Sequence, residues 1–221
     1  MKRKTWDALW RGREKQRVWS SPDGEIAALV PRLKEEGVRR ALDIGCGLGR
    51  HVVLMAASGF ETYALDSSEY AVEHCRARLD GEGLHASVVH SDMGALPYPD
   101  EFFGFVLCWD VIYHARRQRM VEVLAEVKRI LRKDGLLYLT LNSTRNEHYG
   151  GGTEVEPNTF DDPGKEDGCH LHHYSDESDV GDLLAGWRAE SVKESEQALD
   201  GEVAPGSWHW MILARKAVGG R

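Results

Sequence analysis

The chain has 221 residues, 42% of them hydrophobic and 29% charged, which suits one α/β domain with a core of ordinary size. Its formal net charge is -8, and an acidic surface repels phosphate backbones, so a general nucleic-acid binder is disfavoured. The cysteines Cys46, Cys75, Cys108 and Cys169 lack zinc-ribbon spacing and fit a reduced, cytoplasmic protein, and no apolar run approaches membrane-spanning length, so no membrane partner is expected.

Residues 5 to 36 read as helical, with Trp6, Leu9, Trp10 and Arg13 on one face. Lys2, Arg3, Lys4, Arg11, Arg13, Lys15 and Arg17 make this start basic. It reads first as a solvated surface, and alternatively as a basic cap over an anionic ligand or a docking arm. Ser20 to Gly24 is a break. The helix resumes from Glu25 to Glu36, with Pro31 predicting a kink or an end nearby and Gly37 a stop.

A strand–helix rhythm follows. Strands are predicted at Arg40–Ile44, Glu61–Leu65, Ala86–His90, Phe105–Trp109 and Leu136–Leu141. Helices are predicted at Arg50–Ser58, from Ser68 to about Leu79 with Ser67 as N-cap, and at Arg116–Leu131. Such alternation implies βαβ units and a parallel sheet. Residues 144 to 174 have no clear period and read as an insertion or long loop, and the stretch from Glu154 to Asp182 is rich in Asp and Glu with Lys165 its only Lys or Arg. A short helix at Ser175–Leu184 leads to two closing strands, Trp187–Glu196 and Ser207–Lys216, with a turn near Pro205-Gly206.

The loop Asp43-Ile44-Gly45-Cys46-Gly47-Leu48-Gly49 joins the first strand to a helix start, a corner suited to nucleotides. Its Gly-x-Gly-x-Gly spacing departs from the dinucleotide pattern. Asp43, leading the loop, suits a cationic amino-acid moiety better than a pyrophosphate. Asp66 ends the second strand, where a carboxylate can accept from both ribose hydroxyls. Ser91-Asp92-Met93 follows the third strand, where an acid can accept from an adenine amino group. Taken singly, Asp66 reads equally as a helix cap, Asp92 as a turn residue and Met93 as core. Their order at successive strand ends is what joins them.

The run Ala41-Leu-Asp-Ile-Gly-Cys-Gly-Leu-Gly-Arg50, then Leu65-Asp66, then Ser91-Asp92-Met93, resembles the class I S-adenosylmethionine (SAM)-dependent methyltransferases. Leu96 to Val106 and Glu126 to Leu141 look like two further blocks of that family, with Gly104 where Asp is usual. The resemblance covers roughly residues 38 to 143. It implies a Rossmann-like seven-stranded sheet, ordered 3-2-1-4-5-7-6 with the last strand antiparallel. It also implies a single domain over 1–221, with an N-terminal helical cap (1–37) and the 144–174 insertion near the acceptor. The cofactor-binding residues so expected are Asp43, Gly45, Cys46, Gly47, Gly49, Asp66, Ser67, Asp92, Met93, Cys108 and Trp109. Cys108 or Trp109 would lie near the sulfonium.

Methyl transfer from SAM to a small-molecule acceptor, leaving S-adenosyl-L-homocysteine (SAH), is the activity expected from this resemblance. An NAD(P)-dependent oxidoreductase and a non-catalytic SAM-binding partner are the alternatives. Catalytic candidates on the acceptor side are His114, for its ordinary pKa near neutrality, and Tyr113. No metal is expected, although Cys169, His170 and His172 are dense enough to be weak ligand candidates. The chain is expected to be a monomer or homodimer.

Overall fold

The computed structural model describes residues 6–12, 17, 19–94, 96–164, 170–199 and 202–217. Helices α1 (Trp6–Trp10) and α2 (Gly24–Glu35) come first. They are separate elements, and α2 runs on through Pro31. Asp23 caps α2 by accepting from the Glu25 N–H. Ile26, Leu29 and Leu33 form its buried stripe at helical spacing.

The alternating unit is β1 (Arg40–Ile44), α3 (Arg50–Ala57), β2 (Glu61–Asp66), α4 (Glu69–Gly81), β3 (Ser87–His90), β4 (Phe103–Cys108), α5 (Arg117–Ile130) and β5 (Leu131–Ser143). These five strands pair in parallel in the order β3-β2-β1-β4-β5. Such strands are covered on both faces and so read as nearly continuous apolar runs. Along β4, Val106 and Cys108 join the cluster packed under α5, while Phe105 and Leu107 join the one under α2. Each fully buried Leu, Ile or Phe contributes about 1.5–3 kcal/mol.

Ser68, not Ser67, caps α4, its hydroxyl accepting from the Ala71 N–H. The cap falls one residue later because the Asp66 carboxylate holds the Ser68 N–H and delays the first turn.

The segment read as an insertion or long loop contains three short strands, β6 (Thr153–Glu156), β7 (Thr159–Asp161) and β8 (Leu171–Ser175). They pair antiparallel, and β6 turns into β7 at Pro157-Asn158, with Asn158 in the left-handed region at φ 59. β8 joins β5 in parallel at Asn142 and Ser143, beyond the point where β4 stops. Helix α6 (Glu177–Leu183) follows.

The chain closes with β9 (Trp187–Leu199) and β10 (Glu202–Lys216). β10 runs antiparallel between β5 and β9. The path β3-β2-β1-β4-β5-β10-β9 therefore reproduces the expected order, with β6–β8 as an addition. Pro205-Gly206 is an irregularity within β10 rather than the hairpin turn. The register shifts between Val203 and Trp208, and Gly206 (φ 82) instead bonds Glu196 and the Glu147 backbone. Among the described residues no helix is long and apolar enough to cross a membrane.

Candidate functional site

The strand order reverses between β1 and β4, and the crevice outside the carboxyl ends of these strands is where doubly wound sheets bind ligands. The glycine loop lies there. Gly45 and Gly47 have φ of 70 and 50, a region that side chains disfavour. Each is also close-packed. A Cβ on Gly45 would come within 2.3 Å of a Val111 methyl, and one on Gly47 within 2.8 Å of the Trp10 ring. The Gly45 and Cys46 N–H groups donate to the Leu65 carbonyl, tying the loop to β2.

Asp66 completes that tie. Its Oδ2 accepts from the Gly47 N–H and its Oδ1 from the Ser68 N–H, both at 2.8 Å. Burial raises its pKa, against the pull of these two bonds. Asp43 is 2% exposed, and its Oδ2 has no hydrogen-bond partner. Burial pushes this carboxyl up to about 8, against the attraction of Arg50. Arg50 is itself buried, its guanidinium 4.5 Å from the Trp19 ring centre. His51 accepts from the Asp23 N–H through Nε2, and burial together with Arg50 holds its pKa well below the usual histidine value, so its ring is neutral.

Two adjoining cavities open here. The first has an empty volume of about 950 Å³, including its mouth, and is walled by Asp43, the glycine loop, Arg50, His51, Trp109 and Tyr113. The second is lined by Asp66, Ser67, Ser91, Asp92 and Met93. Trp6, Trp10, Gly45, Asp110 and His114 line both. Asp92 Oδ1 accepts from the Gly94 N–H and from Arg119. Cys46 and Trp109 line the first cavity, whereas Cys108 is 1% exposed and belongs to the core beneath it. Of the two residues expected near strand four's tip, only Trp109 reaches the cavity, because successive side chains on a strand alternate faces.

Helix α1 lies over this crevice. Asp7 Oδ1 accepts from the Ser68 hydroxyl at 2.5 Å and from the Tyr70 N–H at 3.3 Å, pinning α1 to the start of α4. The Trp6 ring stands edge-on to His114 with centroids 4.8 Å apart. Of the basic start, Lys2, Arg3, Lys4, Arg13 and Lys15 lie outside the described residues.

Tyr113 and His114 stand on the turn after β4. Their rings are 4.5 Å apart, with His172 from β8 4.7 Å from His114 and His209 from β10 5.9 Å from Tyr113. The histidine-rich run is thus dispersed. His170 meets the Asp162 carbonyl, His172 backs the cavity wall, and His173 is buried between Thr159 Oγ1 (2.7 Å) and Asp179 Oδ2 (2.9 Å). Among the described residues no three His, Cys, Asp or Glu side chains could hold a metal ion together. Cys169 and Lys165 lie outside those residues.

Sequence reasoning missed Arg50, His51, Asp110, Gln197 and Ser207, which all line the first cavity. Arg50 and His51 directly follow the glycine loop, and Asp110 directly follows β4, so position alone could have marked them. Gln197 and Ser207 arrive from the distant hairpin and carry no local signal.

Residues 42–139 match the family model described as a methyltransferase domain. A Mycobacterium tuberculosis protein named as a probable S-adenosylmethionine-dependent methyltransferase is 30% identical over 129 residues, which cover 58% of this chain and 44% of the relative. The chain thus spans about half the length of the first curated relatives that it matches. A Methanosarcina mazei protein solved as a SAM-dependent methyltransferase superposes with a TM-score of 0.68 at 19% identity, over 81% of this chain and 93% of that one. A Burkholderia thailandensis 1,6-didemethyltoxoflavin N1-methyltransferase, solved with its substrate and SAH, gives 0.68 at 18% identity over 93% and 83%. These two likenesses show the shared fold.

Proposed function

We propose, from the methyltransferase-domain match over residues 42–139 and the SAM-dependent relatives, that the chain is a class I SAM-dependent methyltransferase and transfers a methyl group from SAM to a small-molecule acceptor. The observation that carries this reading is the buried Asp43 carboxylate, one oxygen unpartnered, beside a glycine loop that no side chain could line. These features fit the zwitterionic methionine end of SAM. Asp43 would face its ammonium group, Gly45 and Gly47 would let the backbone approach, and Asp66 would take the ribose hydroxyls. Ser67, Asp92 and Met93 would line the adenine pocket.

SAM, when bound, supplies a methyl group already activated on a sulfonium. The protein's work is then to align an acceptor and exclude water. Trp109 and Tyr113 wall the acceptor half, α1 covers it, and His114 stands between both halves, where a neutral imidazole can take a proton from the acceptor. A small-molecule acceptor agrees with the size of this cavity and with the acidic chain, and the toxoflavin-precursor enzyme of like fold was solved with a small-molecule substrate. We place the chain in the cytoplasm on its free cysteines Cys46, Cys75 and Cys108, as one methyltransferase domain acting as monomer or homodimer.

Thermal denaturation with SAM, SAH and NAD in parallel tests the reading. A ligand that binds only the folded state at a hundred times its Kd adds about 2.7 kcal/mol. SAM and SAH should each raise the midpoint and NAD should not. Stabilisation by NAD alone would overturn the assignment.

A further inference from the structure

Asp110 is the acidic residue of the cavity that the donor does not need. It follows β4 directly and lines both cavities, at their junction. Its backbone is in the left-handed region, at φ 55. Residues from two distant strands hold it there. Its N–H donates to Thr140 Oγ1 (2.7 Å), the Thr140 hydroxyl donates to its Oδ1 (2.8 Å), and Gln197 Nε2 donates to its Oδ2 (2.6 Å). Thr140 is fully buried and Gln197 is 3% exposed. A side chain aimed by buried partners on β5 and β9 is pre-organised rather than free to swing to solvent.

Each carboxylate oxygen can accept two hydrogen bonds, and each Asp110 oxygen accepts one from these partners. Resting on the donor reading above, in which Asp43 faces the amino-acid end and Asp66 the ribose, we propose that Asp110 binds the acceptor and selects an amine carried on a flat apolar body. The flat body follows from the aromatic part of the first cavity's wall, which includes Trp6, Trp19, Trp109 and Tyr113 beside the polar Arg50 and His51. Aromatic faces of this kind attract a cationic nitrogen and pack against a ring.

The charge balance selects nitrogen over oxygen. An amine held as its ammonium first gives a proton to the His114 imidazole, and the lone pair so freed forms the new C–N bond while the S–C bond breaks and its electron pair goes to sulfur. Positive charge then builds on nitrogen, the methylated ammonium leaves, and His114 passes its proton to water. A fixed carboxylate beside that nitrogen stabilises the growing charge. An oxygen acceptor needs the opposite field, because a hydroxyl becomes nucleophilic by losing its proton. A phenolate or carboxylate ligand would face Asp110 as a like charge and would have to compete with it for the Arg50 guanidinium of the same cavity, which Asp110 already attracts.

The test uses the full chain saturated with SAH, titrated calorimetrically with benzylamine, benzyl alcohol and benzoate. Benzylamine should bind at least about tenfold more tightly than benzyl alcohol, the size of one charge-assisted hydrogen bond, and benzoate should bind least. Asp110→Asn should bring the amine-to-alcohol ratio close to one and leave SAM and SAH affinities within about twofold of the parent, since removing one acceptor-side charge leaves the donor contacts in place. Equal binding of amine and alcohol to the parent protein overturns the proposal even if the variant fails to fold. So does a variant that loses SAM, the cationic ligand, while keeping SAH, because Asp110 would then be a partner of the sulfonium. Failure of the parent protein to bind SAH at all refutes the donor reading instead, and the amine assignment falls with it.

Discussion

Replacing Asp43 by Asn removes an ionisation that burial in the proposed donor half of the cavity makes expensive. The folded carboxyl titrates at about 8 against an ordinary value of 3.8, with burial the main cause and Arg50 opposing it. At about 1.4 kcal/mol per pKa unit, that gap corresponds to roughly 6 kcal/mol between the two protonation states. The folded value is raised, so the contribution to stability is complete below about pH 4 and declines up to about pH 8, as the unfolded chain ionises and the folded one keeps its proton. Asn keeps the shape without the charge. Urea unfolding at pH 5, 7 and 9 should therefore show a parent protein that weakens with pH more steeply than Asp43→Asn, and the variant should be the more stable at pH 9. A cofactor ammonium facing Asp43 would draw out the ionised form. SAH binding near pH 7 should then release a proton, seen as a dependence of the calorimetric heat on buffer ionisation enthalpy, and this release should vanish in the variant along with much of the affinity. Parallel pH slopes in parent and variant would refute the buried-charge argument. Equal proton release in both would refute the placement of the ammonium.

Two further changes probe separate parts of the fold. Asp66→Ala removes the proposed ribose partner and the acceptor that holds the Gly47 N–H, so SAH should bind about 10- to 100-fold more weakly by calorimetry; unchanged affinity would show that the ribose lies elsewhere. Burial alone would raise the Asp179 carboxyl, but hydrogen bonds from His173, Arg117 and Ser175 hold it down to about 2. Its contribution is therefore present above the ordinary value of 3.8 and is lost as pH falls towards about 2. Asp179→Ala should cost about 3 kcal/mol at pH 7, by leaving the buried His173 without this partner, and should flatten the acid limb of a circular-dichroism stability profile between pH 4 and 2. An unaltered acid limb would place the acid-sensitive group elsewhere.

The half of the cavity proposed for the donor was legible because its signals are local. Asp43, Gly45, Gly47 and Asp66 sit within 24 consecutive positions, each at a strand end whose apolar run is plain in the sequence. The helix α5 stripe Met120, Val123, Leu124, Val127 follows from a helical period that nothing interrupts. The acceptor half was less legible because it is assembled from pieces far apart. Tyr113, His172 and His209 meet only after β8 and β10 have come to flank β5. The three strands of the insertion are three to five residues long, too short for a period to rise above its polar composition. Its one usable mark was Pro157-Asn158, a pair suited to a tight turn with positive φ at the second position. The Cys169–His173 run suggested a shared site by density alone, whereas strand alternation sends His172 and His173 to different neighbours.

Asn142 is bonded on both edges, to His209 of β10 and to Tyr174 of β8, and with Ser143 it forms the whole ladder between the small β6–β8 sheet and the large one. The matched methyltransferase domain ends at Leu139, three positions earlier. The chain therefore changes character at a single short splice. Upstream lies a frame in which loop, helix and carboxylate are mutually fixed. Downstream lies the β6–β8 sheet, which enters the ladder through these two residues before the chain returns to the frame with β9 and β10. The proposed acceptor walls Trp109, Asp110 and Tyr113 stand in the frame, and β8 meets them through His172, whose ring packs beside Tyr113 and His114, so an exchange of the small sheet would retune that wall from behind and leave its charge in place.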